Sequence, residues 1–89
     1  MTMASFHLRI VTPESLVYEG EAERIIVRTV QGDVAILPRH IDYLAALGDG
    51  EARVTYDGHV HKAHCSGGML HVAGGKVEVL STLFEWKTE

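Results

Sequence analysis

The sequence has one cysteine, Cys65, two prolines and no apolar run near the roughly 18 residues that a membrane-spanning helix needs. A single thiol excludes an internal disulfide framework and fits a reducing compartment. The N-terminus, MTMASFHLRIVTPES, lacks the basic start and long apolar stretch of a secretory signal. Positive charge is also scarce. Eight basic residues face twelve acidic ones, a formal net charge of −4, which leaves no electrostatic footprint for nucleic acid or an anionic membrane. Trp86, Tyr18, Tyr43 and Tyr56 are too scattered to make a base-stacking platform. Helical periodicity is almost absent. The expectation is a soluble cytoplasmic protein, monomeric when isolated, that touches a membrane only through a partner.

Period-two alternation fills the space these absences leave. In FHLRIV, Phe6, Leu8 and Ile10 share one face and His7 and Arg9 the other. Thr12-Pro13-Glu14-Ser15 reads as a turn, because Pro13 cannot donate to a ladder. LVYEGEAERIIVRTV is a second β-rich run, with Gly20 expected at a bulge or bend. Gln31-Gly32-Asp33 reads as a turn into VAIL, which Pro38 closes. IDYLAAL reads as a strand ending at Gly48-Asp49-Gly50. EARVTY and HVHKAHC flank Asp57-Gly58, and KVEVLS follows MLHVA across Gly74-Gly75. Both pairs are hairpin signals, since such residues tolerate positive φ. Ser66-Gly67-Gly68 reads as a glycine corner.

This pattern predicts one all-β domain over 1–89, a flattened β-sandwich or barrel of about ten short, mostly antiparallel strands. The expected core is Phe6, Leu8, Ile10, Ile26, Val34, Ile36, Val54, Leu70, Val72, Val77 and Val79. A chain this short buries only about 60–65% of its unfolded surface. Burying each such side chain is worth about 1.5–3 kcal/mol before entropy, so a thin core suffices without metal or disulfide.

Three groups invite a chemical reading. His59, His61 and His64 beside Cys65 resemble metal ligands, but strand geometry turns His64 away from the other two, and no second ligand pair appears. Cys65-Ser66-Gly67-Gly68 lacks the following helix of a nucleophile elbow and the Lys-Ser/Thr of a phosphate loop. Asp33, His40 and Asp42 form a conceivable acid–base set, yet a chain this short cannot enclose an ordinary substrate pocket. The residues themselves therefore favour none of these chemistries. A small His-rich metal- or ligand-binding β-protein is the alternative.

FHLRIVTPESLVYEGEAERIIVRTVQGDVAILPRHIDYL resembles the N-terminal domain of the epsilon subunit of F-type ATP synthases, and so does the later SGGMLHVAGGKVEVLS. The likeness runs over about residues 5–82, in the order of strand, turn, YEGEAERIIV, glycine turn, AILPRH and glycine hairpin. It implies a ten-stranded sandwich in the central rotor, bridging the gamma subunit to the ring of c subunits. The ATP synthase makes ATP from an ion gradient, and this subunit is neither its catalyst nor a cofactor carrier. The resemblance assigns Gln31, Gly32 and Asp33 to the c-ring contact. It assigns Thr12, Pro38, Arg39, His40 and Asp42 to the gamma contact. Arg39 and Asp42 depart from the glycine and proline usual there. The family's C-terminal helical hairpin has no counterpart before Glu89, so neither inhibition nor nucleotide binding is carried over. The implied location is the cytoplasmic face of the bacterial membrane, as a peripheral part of the complex.

Overall fold

The computed structural model describes residues 4–87. Eight strands follow the period-two pattern: β1 (Phe6–Val11), β2 (Leu16–Ala22), β3 (Arg24–Thr29), β4 (Gly32–Ile36), β5 (Tyr43–Ala46), β6 (Asp49–Tyr56), β7 (His59–Ala73) and β8 (Lys76–Trp86). They hydrogen-bond in the order β2-β1-β8-β7-β6-β3-β4, with β5 beside β7. All pairs are antiparallel except β1 with β8. The sheet does not close into a barrel, because the order ends at β2 and β4.

The two long strands belong to two layers each. Residues 76–80 of β8 pair with β1, and residues 69–72 of β7 pair with β5. Residues 59–66 of β7 pair instead with β6, which carries β3 and β4. The first layer is thus β2, β1, the start of β8, the end of β7, and β5. The second is the end of β8, the start of β7, β6, β3 and β4. Counting both bent strands twice gives the ten that the sequence suggests; the chain itself forms eight.

Burial shows why these strands bend. In β7, Ala63 and Cys65 point inward before the corner, and Leu70 and Val72 after it. In β8, Val77, Val79 and Ser81 point inward, then Phe84. The inward parity flips in both strands where Gly68 pairs with Ser81. A straight strand cannot do this, since its side chains alternate strictly. Gly67 and Gly68 supply the bend with φ of 69° and 103°. A Cβ on Gly68 would collide with the Leu80 carbonyl oxygen. The buried Ser81 hydroxyl pins the corner, donating to the Leu83 carbonyl at 2.6 Å and accepting from the Leu83 amide at 3.3 Å.

The Asp57-Gly58 and Gly74-Gly75 hairpins form as expected, with φ of 53° and 75° in the first and 57° and 79° in the second. Positive φ at both central residues is the I′ geometry whose twist suits adjoining strands. Two local expectations fail. Gly20 pairs in register with Leu8, and the bulge falls at Val17, between the Ile10–Tyr18 and Val11–Leu16 pairs. In β3 the core residues are Ile25 and Val27, while Ile26 is only half-buried. Ile26 shares its parity with exposed Arg24 and Arg28, and two guanidiniums hold that face in water. The other expected core residues are buried, except that Val34 packs half-exposed against the cluster.

Candidate docking surface

Thr29 builds the β3–β4 hairpin. Its buried hydroxyl donates to the Gly32 carbonyl at 2.7 Å and accepts from the Gln31 amide at 3.1 Å. The Val30 amide donates to the Ala46 carbonyl at 3.0 Å, which ties the tip to β5. The tip is therefore Val30-Gln31. Gly32 and Asp33 already lie in β4, so Asp33 is not at the turn apex that the sequence suggests. Asp33 faces Arg28 across the ladder, and its Oδ1 accepts from Arg28 Nε at 2.6 Å. That hydrogen bond holds the Asp33 carboxyl below the usual carboxylate range. Val30 is 68% exposed at the apex.

Residues 37–40 form the second feature. The His40 amide donates to the Leu37 carbonyl at 3.1 Å, and Arg39 has φ of 68°. Proline followed by a residue of positive φ is the type II turn, whose third position prefers glycine. This explains the glycine that the resemblance implies at position 39. Asp42 Oδ1 accepts from the Gly74 amide at 3.3 Å, a tie that proline could not make. His40 Nδ1 lies 2.7 Å from the Ile41 carbonyl, and its ring meets Tyr43 edge-on at 5.8 Å. Leu37 and Ile41 flank the corner and are exposed, Ile41 to 78%. Thr12 sits elsewhere, in a loop closed by reciprocal backbone bonds with Ser15.

The outer face of the first layer joins these pieces. Leu16, Val11, Leu80, Met69 and Ala46 are successive cross-strand partners from β2 to β5. Cross-strand partners share a face, and Ile10, Val79 and Leu70 between them point into the core. The row is apolar and open, with Leu80 44% and Met69 38% exposed. The next row is charged: Glu19, Arg9, Glu78 and His71, ending on exposed Leu44. Arg9 pairs with Glu78 at 3.3 Å and His7 with Glu19 at 3.1 Å. Thr12 lies at the apolar end of this layer, beside Leu80 and Ser81. The stretch 38–42 lies at the other end, against the β7–β8 hairpin. The five residues assigned to one partner thus do not form a cluster. They bracket a sheet face.

Sequence reasoning missed Val30, Leu37, Ile41, Leu44, Met69 and Leu80. The available signal was parity. Leu44, Met69 and Leu80 each sit next to an inward apolar residue, so one of the two neighbours must face out.

The histidines do not converge. His61 stacks on Tyr56 with ring centroids 3.8 Å apart, and Trp86 meets it edge-on. Its Nε2 is buried without a partner, as is Glu23 Oε1. His64 pairs with Asp49 at 2.8 Å, and His59 is exposed. Among the described residues, no group of three or more His, Cys, Asp or Glu side chains is placed to hold a metal ion. The metal-site alternative therefore has no geometric support. Cys65 is buried, which pushes its thiol pKa up and leaves it a poor nucleophile. No described helix is long and apolar enough to cross a membrane.

Comparison with known proteins supplies the context. The family model for "ATP synthase, Delta/Epsilon chain, beta-sandwich domain" matches residues 5–87. The chain is 39% identical over 88 residues to the ATP synthase epsilon chain of Ruminococcus albus, covering 98% of this chain and 66% of that one. It is 33% identical over 87 residues to the epsilon chain of Caldicellulosiruptor bescii, covering 98% and 64%. It thus spans just under two thirds of these relatives' length. A chain of the Euglena gracilis mitochondrial ATP synthase superposes with a TM-score of 0.87 at 22% identity, over 97% of this chain and 56% of that one. That likeness is one of fold.

Proposed function

The chain belongs to the ATP synthase delta/epsilon β-sandwich family, and from that premise we propose that it is a non-catalytic epsilon subunit of the central stalk, linking the gamma subunit to the c-ring. It does no chemistry itself and needs no cofactor. It meets the membrane only through the complex, on the cytoplasmic face, and it is a monomer when isolated. The observation that carries this reading is the first layer's outer face. A strand face that keeps Leu80, Met69 and Leu44 exposed among the described residues is built to be covered.

On this reading gamma docks along that face, from Thr12 to Pro38, Arg39, His40 and Asp42, with the apolar row between. The β3–β4 hairpin, with Gln31, Gly32 and Asp33, faces the ring. Specific interfaces bury about 1,600 Å² in total, roughly half from each partner. A five-strand face with its flanking loops can supply that share.

Co-purification with the gamma subunit of the same organism tests the role. Stable one-to-one capture is expected. Failure, with both proteins folded, would refute it.

A further inference from the structure

The outer face of the second layer is turned away from the face assigned to gamma. Ala52, Val54, Ala63 and Phe84 point into the core, so Arg53, Lys62 and Glu85 beside them point out. Arg53 and Lys62 are direct cross-strand partners. The Lys87 amide donates to the Lys62 carbonyl at 2.9 Å, which carries the row one strand further. Three cations thus stand side by side. Arg24 lies on the same face diagonally from Arg53, because it pairs with Thr55.

Like charges in direct cross-strand register lower stability, and here the compensation is incomplete. One acid is shared between two bases: Glu51 accepts from Arg53 Nε at 3.0 Å and from Lys87 Nζ at 3.2 Å. The next acids are already taken, Asp33 by Arg28 at 2.6 Å and Asp49 by His64 at 2.8 Å. Among the described residues, Arg24 and Lys62 form no ion pair, and neither does Glu85 opposite His64. Around the row, four bases therefore face Glu51 and Glu85 alone, within a chain whose formal net charge is −4. The row ends at a cleft of ≈ 210 Å³ between Lys62 and Lys87, walled by Tyr56, Val60, His61 and Trp86.

We propose that the row Arg53, Lys62 and Lys87, with Arg24 beside it, docks a short carboxylate-rich protein segment, and that the cleft takes an apolar side chain next to those carboxylates. A local rule broken on an exposed face marks a site that a partner completes. The occupant's size follows from the geometry. Strands lie about 4.8 Å apart, so the row spans about 10 Å, the reach of three or four residues of extended chain. An extended polyanion, such as an anionic membrane, would also meet the acids that give the chain its negative balance, with Asp49 and Asp57 at the margins of this face. A short acidic segment meets the row alone. This third contact does not depend on where gamma or the ring docks.

The test measures binding of a fluorescein-labelled hexaglutamate peptide to the purified chain by anisotropy at low salt. The parent chain is expected to bind. Lys62→Glu is expected to weaken binding about fivefold or more. The same change should raise the melting temperature by about 1–4 °C, because it replaces two like-charge neighbours with opposite ones. Lys76→Glu, an exposed base on the other layer, should alter binding by less than about twofold. Loss of binding together with a gain in stability is a signature that a purely structural lysine would not give. Absence of hexaglutamate binding, an equal loss in Lys76→Glu, or a melting temperature that falls in Lys62→Glu would each overturn the site. Displacement of the peptide by inorganic phosphate at matched ionic strength would replace it with a small-anion site. Tighter binding to phosphatidylglycerol vesicles, lost in Lys62→Glu, would replace it with a lipid contact. Either result overturns the protein segment as occupant.

Discussion

At the scale of single residues, stability concentrates at the corner where Gly68 meets Ser81. Gly68→Ala forces a Cβ into the Leu80 carbonyl at a φ of 103°. We expect a loss of about 4 kcal/mol or more, in the rare severe class of point mutations, read by urea unfolding or as failure to fold. Ser81→Ala keeps the shape but strands buried backbone groups, at a cost of about 1–3 kcal/mol. Arg39 offers the opposite experiment. An L side chain at φ 68° is strained, so Arg39→Gly should raise stability by about 0.5–1 kcal/mol, measured by the same unfolding curve. The glycine corner was legible in Ser66-Gly67-Gly68, because only glycine suits such turns. The strain at Arg39 was not, because a proline-led turn does not announce its type until the φ of its third residue is known.

At the scale of elements, the β3–β4 hairpin holds its form through Thr29. Thr29→Val removes both side-chain bonds from a buried site, and we expect a cost of about 1–3 kcal/mol with faster hydrogen exchange at the Gln31 amide. The Arg28–Asp33 pair makes a pH prediction. Its carboxyl is depressed in the folded state by the Arg28 hydrogen bond. Its contribution is therefore present above the ordinary carboxylate range and is lost as pH falls through the depressed value. Glu51, held down by Lys87 and then Arg53, acts in the same sense. The melting temperature should fall below about pH 4 in the parent chain. In Asp33→Asn the fall should be shallower, most visibly at low salt. Hairpins were the most legible elements, since Asp57-Gly58 and Gly74-Gly75 sit between alternating runs. The phase of β3 was harder to read. Three successive apolar residues leave the inward face open, and only the flanking arginines decide it. The Asp33 partnership was hidden, because it depends on a register that Thr29 sets one residue earlier than the glycine suggests.

At the scale of the molecule, the open face of the first layer sets the expected behaviour. Leu80→Arg or Met69→Arg should abolish capture by gamma while shifting stability by less than about 0.5 kcal/mol, since both side chains are exposed. Unchanged capture would move the interface elsewhere. The two-layer architecture was legible from the strand count and turn spacing. The division of β7 and β8 between layers was not, because alternation does not say on which side of a bend a residue points.

The shared strands have a mechanical consequence. Two sheets held only by side-chain contact can shear past each other when pulled. Here a load entering at the outer face of one layer reaches the far hairpin along peptide bonds, through β7 and β8, without relying on dispersion forces. Slippage would first have to tear the ladder at the Gly68–Ser81 crossing, so the place with the least steric tolerance is also the place where strain arrives.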